Sequence, residues 1–310
     1  MENKKAKLLA LLERDCRSSL KEIANEMHIS KQAVHSRLTE INGKEINSYL
    51  TIINYFKLGY QNVHLYLKFD GLKEKEYKTC IERIERIESV KWIADFLGEF
   101  DLAVSIFYKD LNNLAHILKE IYSIIGNNIK QRKFYFILKQ AVPSNNQKNI
   151  NYSLNIEYPR ISQKIRLDKV DINILKEIQT NGRYTYSELS DNIKISRTTI
   201  KNRIENLERN KIILGHKPLL NYSFIDKHVS ICIIKLVPGV EGSNLVDFII
   251  KNKEVIFVST TIDNELIIDF TSSNYEELKK FINQIKLRYK NKIEDYKILN
   301  VNRTYKMKFI

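Results

Sequence analysis

At the start of the chain, apolar residues fall at the three-to-four spacing of a helix face. Leu8, Leu9 and Leu12 lie within a helix predicted over Lys4–Arg14. A second helix is predicted over Ser19–Met27, and Val34, Leu38 and Ile41 line a third over Ser30–Ile41. The rhythm then shortens to two. Val63-His-Leu-Tyr-Leu-Lys-Phe alternates as a strand and is followed by an amphipathic helix near Glu76–Ile87. Strands Val90–Leu97 and Leu102–Tyr108 flank a Gly98-Glu-Phe-Asp turn; a helix over Leu111–Ile124 and a strand near Lys130–Lys139 complete a β-α-β-β-α-β order.

The whole pattern then recurs. Sliding the chain by 166 residues places Arg17 on Arg183, Glu22 on Glu188, Ser30 on Ser196, Val34 on Ile200, Arg37 on Arg203 and Leu38 on Ile204. Apolar positions coincide while surface residues differ, as duplicated core constraints require. Second-copy helices are predicted over Lys169–Thr180, Thr185–Ile193 and Ser196–Leu207. Strands follow at Val229–Leu236, Glu254–Thr261, Glu265–Thr271 and Ile293–Asn302, with helices at Ser243–Lys251 and Tyr275–Tyr289. The expected architecture is α+β: two winged-type helix-turn-helix DNA-binding domains (1–50 and 167–216) alternating with two ferredoxin-like βαββαβ domains (51–142 and 217–310). Residues 143–166, rich in Asn, Gln and Ser, read as a linker; Tyr152-Ser-Leu-Asn-Ile-Glu-Tyr within it is a candidate edge strand, and Arg303–Ile310 its expected counterpart.

Only His28-Ile29, or Lys194-Ile195, separates the second and third helices of each trihelical unit. That short break is the geometry in which the second helix of the pair enters a major groove. Opposite its apolar stripe, the first such helix carries Lys31, Gln32, His35, Ser36 and Thr39, and the second Arg197, Thr198, Thr199, Lys201 and Asn202. Gln and Asn pair with adenine, Thr meets a thymine methyl or a phosphate, and Lys or Arg takes guanine or phosphate. Arg37 and Arg203 are expected at phosphates. An ordinary solvated helix face is also polar, so the argument rests on the duplicated spacing rather than on the exposed residues.

Charge sharpens this reading. The net charge is +14, divided +6 and +8 between residues 1–160 and 161–310, so it is no tail effect. Such an excess favours a polyanionic partner, and double-stranded DNA is the expected one. Three widely spaced cysteines, Cys16, Cys80 and Cys232, suggest neither a disulfide framework nor a zinc site. No phosphate-binding glycine loop, nucleophile elbow or metal-spaced histidine pair occurs, so no cofactor and no metal are expected and the chain reads as a non-enzyme. Apolar runs are too short for a membrane span and the polar start lacks a signal-type stretch, which places the protein in the cytoplasm.

The stretch Leu167-Asp-Lys-Val-Asp-Ile-Asn-Ile-Leu, with Ser187-Glu-Leu-Ser, Ile195-Ser-Arg and Arg203-Ile-Glu-Asn-Leu-Glu, resembles the DNA-binding domain of the Lrp/AsnC (feast/famine) regulators. Ile212-Ile-Leu-Gly-His with Leu219-Leu-Asn-Tyr is similar to that family's hinge strand, and the first copy resembles it less closely. The resemblance implies a tandem duplication whose sheets pair within the chain, further homo-oligomerisation, and a small amino-acid effector. It also implies an effector site near the turn Gly98, Glu99, Phe100 and Asp101, although Gly98 equally serves a plain β-turn. Two alternatives stand beside the regulator. Siroheme decarboxylases share a similar scaffold but need His and Arg between the sheets, where His64 is the main offering. An assembly or amino-acid-binding module would use its helix-turn-helix units for contacts alone.

Overall fold

The computed structural model describes residues 2–143, 154–157 and 167–307. The first trihelical unit comprises α1 (Glu2–Arg14), α2 (Leu20–Met27) and α3 (Lys31–Ile41); the second comprises α6 (Lys169–Thr180), α7 (Tyr186–Ile193) and α8 (Arg197–Arg209). Each closes on its own core. Leu8, Leu12, Ile23, Val34, Leu38 and Ile41 are buried together in one, and Ile174, Ile178, Leu189, Ile200, Ile204 and Leu207 in the other. The residues that set the periodicity are those that leave water.

Each unit is followed by a hinge strand, β1 (Ile46–Ile53) and β7 (Ile213–Leu220), and the two pair with each other antiparallel rather than within one copy. The expected domain limits at 50–51 and 216–217 therefore fall inside strands. The resemblance places a hinge strand in the second half, and its partner lies in the first. The exchange continues above: α1 packs on β7 and α6 on β1.

The first sheet domain runs β2 (Gln61–Phe69), α4 (Glu74–Glu85), β3 (Val90–Leu97), β4 (Leu102–Tyr108), α5 (Leu111–Ile125) and β5 (Ile129–Val142). The second runs β8 (His228–Leu236), α9 (Ser243–Ile249), β9 (Val255–Thr261), β10 (Glu265–Ser272), α10 (Tyr275–Arg288) and β11 (Ile293–Met307). The sheets do not remain separate. Strand order is β2-β4-β3-β11-β8-β10-β9-β5-β6, and β5 also pairs with β2, so eight strands close a ring with β6 (Leu154–Glu157) appended to β5.

Two long strands make the closure. β5 pairs with β2 through Ile137 and with β9 from Ile137 to Ala141, while β11 pairs with β8 up to Asn300 and with β3 from Asn300 onward. The expected separate counterpart strand at 303–310 is instead a continuation of β11 as far as Met307, its last residues lying outside the described chain. The candidate edge strand at 152–158 is present as β6 over its four described residues.

Closure of the ring pairs each sheet's outer strand over part of its length, and β6 pairs with β5 from Lys139 onward, which shortens the exposed strand edges. Cations cross the seam in both directions: Lys133 of the first sheet meets Glu265 of the second at 2.8 Å, and Lys297 of the second meets Glu99 of the first at 2.8 Å. Inside the ring lie Tyr66, Phe96, Phe100, Phe107, Tyr135, Ile231, Ile233 and Phe257. Outside it, α4 and α5 cover one sheet, and α9 and α10 the other.

Candidate nucleic-acid interface

The turn that presents each reading helix is built from local hydrogen bonds. Ser19 caps α2 by accepting from Glu22 N at 3.2 Å, and the Glu22 carboxylate accepts from Ser19 N at 2.7 Å. Thr185 and Glu188 repeat this reciprocal pair at 3.2 and 2.7 Å. These hydrogen bonds, to Ser19 and Thr185, hold both carboxyls below the usual carboxylate range, so they are ionised where the helix dipole favours a negative group. Both α2 and α7 end on a left-handed residue, His28 (φ 54°) and Lys194 (φ 61°). Ser30 and Ser196 then start the next helix by accepting from Ala33 N at 3.1 Å and Thr199 N at 3.2 Å.

The structure brings the expected reading residues onto two exposed helix faces. Lys31, Gln32, His35, Ser36 and Thr39 are exposed on α3; Arg197, Thr198, Lys201 and Asn202 are exposed on α8, with Thr199 half-buried against the Ser196 cap. Between them Val34, Leu38 and Ile41, or Ile200, Ile204 and Leu207, bury the opposite stripe. The two arginines differ. Arg37 Nη1 folds back to the Ala33 carbonyl at 3.2 Å. Arg203 is held by Asp168 at 2.7 Å and Asp171 at 3.3 Å, the acids that cap α6, so its guanidinium already has carboxylate partners beside any phosphate it meets.

Sequence reading passed over one pair. Arg17 Nη2 donates to the Tyr184 carbonyl of the second unit at 3.2 Å and its guanidinium lies 5.1 Å from the Tyr186 ring centroid; Arg183, its repeat counterpart, lies 5.2 Å from the Tyr49 ring centroid. These arginines tie the first trihelical unit to the second, and the second to the first hinge strand. Their coincidence in the repeat was the available signal.

At the turn between β3 and β4, Gly98 takes φ 141°. Asp101 is bound on both sides: Lys68 Nζ donates to it at 2.8 Å and Phe69 N at 2.7 Å. Phe100 is fully buried within the ring, and Glu99 pairs with Lys297. The polar groups of this turn are thus engaged with neighbouring protein. Among the described residues, no group of three or more His, Cys, Asp and Glu is placed to hold a metal ion, and no helix is long and apolar enough to cross a membrane.

Two short trihelical units with exposed basic helices define a helix-turn-helix protein, and comparison with known proteins gives the family. Residues 6–40 match the AsnC-type helix-turn-helix domain, and residues 167–213 match a winged helix-turn-helix DNA-binding model. An HTH-type transcriptional regulator of Pyrococcus furiosus, itself uncharacterised, is 32% identical over 127 residues, covering 40% of this chain and 82% of its own. The leucine-responsive regulatory protein of Haemophilus influenzae is 36% identical over 74 residues, 24% of this chain and 45% of that one. The chain belongs to the Lrp/AsnC family of DNA-binding transcription regulators. Its duplicated arrangement has a solved counterpart in the siroheme decarboxylase NirDL, with a TM-score of 0.63 at 13% identity over 98% of this chain and 93% of that one, which is a likeness of fold.

Proposed function

We propose that this protein regulates transcription by reading an imperfect, asymmetric palindrome in double-stranded DNA with two unlike helices. The observation that carries the reading is the outward display of Lys31, Gln32, His35, Ser36 and Thr39 on α3 and of Arg197, Thr198, Lys201 and Asn202 on α8, with Thr199 half-buried at the cap and each helix fixed by a buried stripe. In a two-chain regulator such helices are identical by symmetry; here one chain supplies both, so the half-sites need not match. Arg37 acts at a phosphate directly, and Arg203 from within its ion pair. No chemical step is assigned: the reading is of a cytoplasmic regulator that works by binding, with any amino-acid effector acting on affinity. The polar groups of the Gly98–Asp101 turn already have protein partners, so the turn supports an effector site only if those pairs open.

In vitro selection of duplexes followed by anisotropy titration tests the reading. A selected duplex is expected to bind at least ~1000-fold tighter than random duplex at ~150 mM salt, with affinity falling steeply as salt rises. Equal affinity for both duplexes would overturn it. Titration with a siroheme-type tetrapyrrole is expected to give no absorbance shift, and a saturable shift would favour the enzyme reading.

A further inference from the structure

A cleft of 1170 Å³ opens between α1 of the first trihelical unit, the β1–β7 hinge pair, and α9 with the start of β9 in the second sheet. Leu9, Ile250 and Phe257 contribute apolar wall, and Glu13, Lys217, Lys227 and Glu254 also face it. Lys217 donates to the Pro143 carbonyl, Lys227 is ion-paired with Glu254, and Lys253 lies 3.9 Å from the same carboxylate. Both side chains are half-buried, and burial pushes the Lys217 ammonium down to about 8 and the Glu13 carboxyl upward.

The two halves differ at this place. The hinge pair Leu50–Lys217 has His216–Thr51 as its repeat-related equivalent, and the Thr51 hydroxyl is satisfied by the Ile178 carbonyl at 2.8 Å. Asn54 and Asn221 each donate a backbone N–H across to the other copy, to Ile212 O and Glu45 O at 2.8 Å, which aligns Tyr55-Phe56 with Tyr222-Ser223. Tyr55 and Phe56 are fully buried and fill the first half; Tyr222 is half-buried at the cleft and Ser223 brings no ring. The second half therefore lacks the two buried rings of the first and carries the half-buried Lys217 ammonium where the first has Thr51. Basic side chains around the cleft outnumber acidic ones by six to four.

We propose that this cleft binds a small organic anion with an apolar body, the anionic group between Lys217 and Lys227 and the body along Leu9, Ile250 and Phe257. Lys253 can take over Glu254 when Lys227 turns to the ligand. The binding site stands independently of the DNA reading; its use in regulation rests on that reading. Because the walls come from the first DNA-binding unit and the second sheet, occupancy ties one to the other.

Calorimetric titration of the full chain with octanoate, acetate and octanol tests this. Octanoate is expected to bind at one site per chain, with acetate and octanol at least ~10-fold weaker, since each lacks one half of the interaction. Lys217→Met should cost at least ~10-fold in octanoate affinity at an unchanged melting temperature. Should that variant fail to fold, the wild-type protein gives the same information: affinity should fall as pH rises through about 8 and Lys217, facing Glu13, Lys227, Glu254 and Tyr222, loses its proton. Octanoate binding no tighter than octanol, or unaffected by both changes, would overturn the site. Octanoate binding that leaves affinity for a selected duplex unchanged removes the regulatory use and keeps the site; failure of DNA binding itself leaves the calorimetry intact.

Discussion

One layer of inward-facing side chains, compared between the two sheets, shows what duplication within a single chain permits. His64, the fourth residue of β2, pairs with Ser105 and Tyr135, and Ser105 pairs with Trp92. Ile231, the fourth residue of β8, pairs with Asp269 and Leu299, and Asp269 pairs with Phe257. The backbone positions correspond while the chemistry does not. Burial drives His64 down to about 4, so it is neutral, and pushes the Asp269 carboxyl up to about 7. In a homodimer every substitution occurs twice, once on each side of the axis. Here each position changes alone, and the two halves are free to take different tasks on one scaffold.

The reading helices should show this divergence most strongly. The second presents Arg197, Lys201 and Asn202, the first Lys31, Gln32 and His35, and a specific contact contributes roughly 1–3 kcal/mol. Replacing the second trio by alanine is expected to lower affinity for a selected duplex on the order of 1000-fold, and the first trio, with one formal cation fewer, ~150-fold. Equal losses by anisotropy would show that the helices remain equivalent.

A smaller effect should follow from Asp269. Its ordinary value is 3.8 and its folded one about 7, so between them the folded state holds more protons than the unfolded. Stability contributed by the protonated acid is therefore present below about pH 4 and lost as pH rises to about 7. Asp269→Asn should flatten that slope and raise stability at pH 8 by about 2 kcal/mol in urea denaturation. An unchanged slope would mean that Asp269 is not the buried acid of the ring.

The smallest expected effect concerns the hinge contacts. Cys16 and Gly182 are repeat counterparts, and each donates its backbone N–H to the other copy's hinge, to His216 O at 3.3 Å and Tyr49 O at 2.8 Å. A Cβ on Gly182 would stand 3.0 Å from the Leu50 backbone, whereas Cys16 is accommodated and fully buried. Gly182→Ala should destabilise the protein by about 1–2 kcal/mol. Cys16→Ala, which leaves only a small void, should cost less than that in the same assay.

Local chemistry made much of this legible. The helix over Lys169–Thr180 and the strands Val90–Leu97 and Leu102–Tyr108 have the limits their periodicity predicts, because a helix face or an alternating strand is set by near neighbours. The short 3₁₀ turn at Tyr55–Leu58 carries no period, and neither Tyr55 nor Phe56 announces that it will fill the interior. Of the reading residues, the faces were visible in the spacing; the Asp168 and Asp171 clamp on Arg203 was not, since it joins side chains 32 or more residues apart.

The sequence alone determined the repeat, most of the helices and sheet strands, and the caps at Ser30 and Ser196, since each depends on residues within a few positions. Tertiary structure alone decided that the hinge strands pair across copies, that β5 and β11 close one ring, and that Lys217 and Asp269 are drawn from water in one half only. Pairing and burial are properties of surfaces brought together from distant parts of the chain, and a pattern repeated every few residues holds no record of which distant surface it will meet.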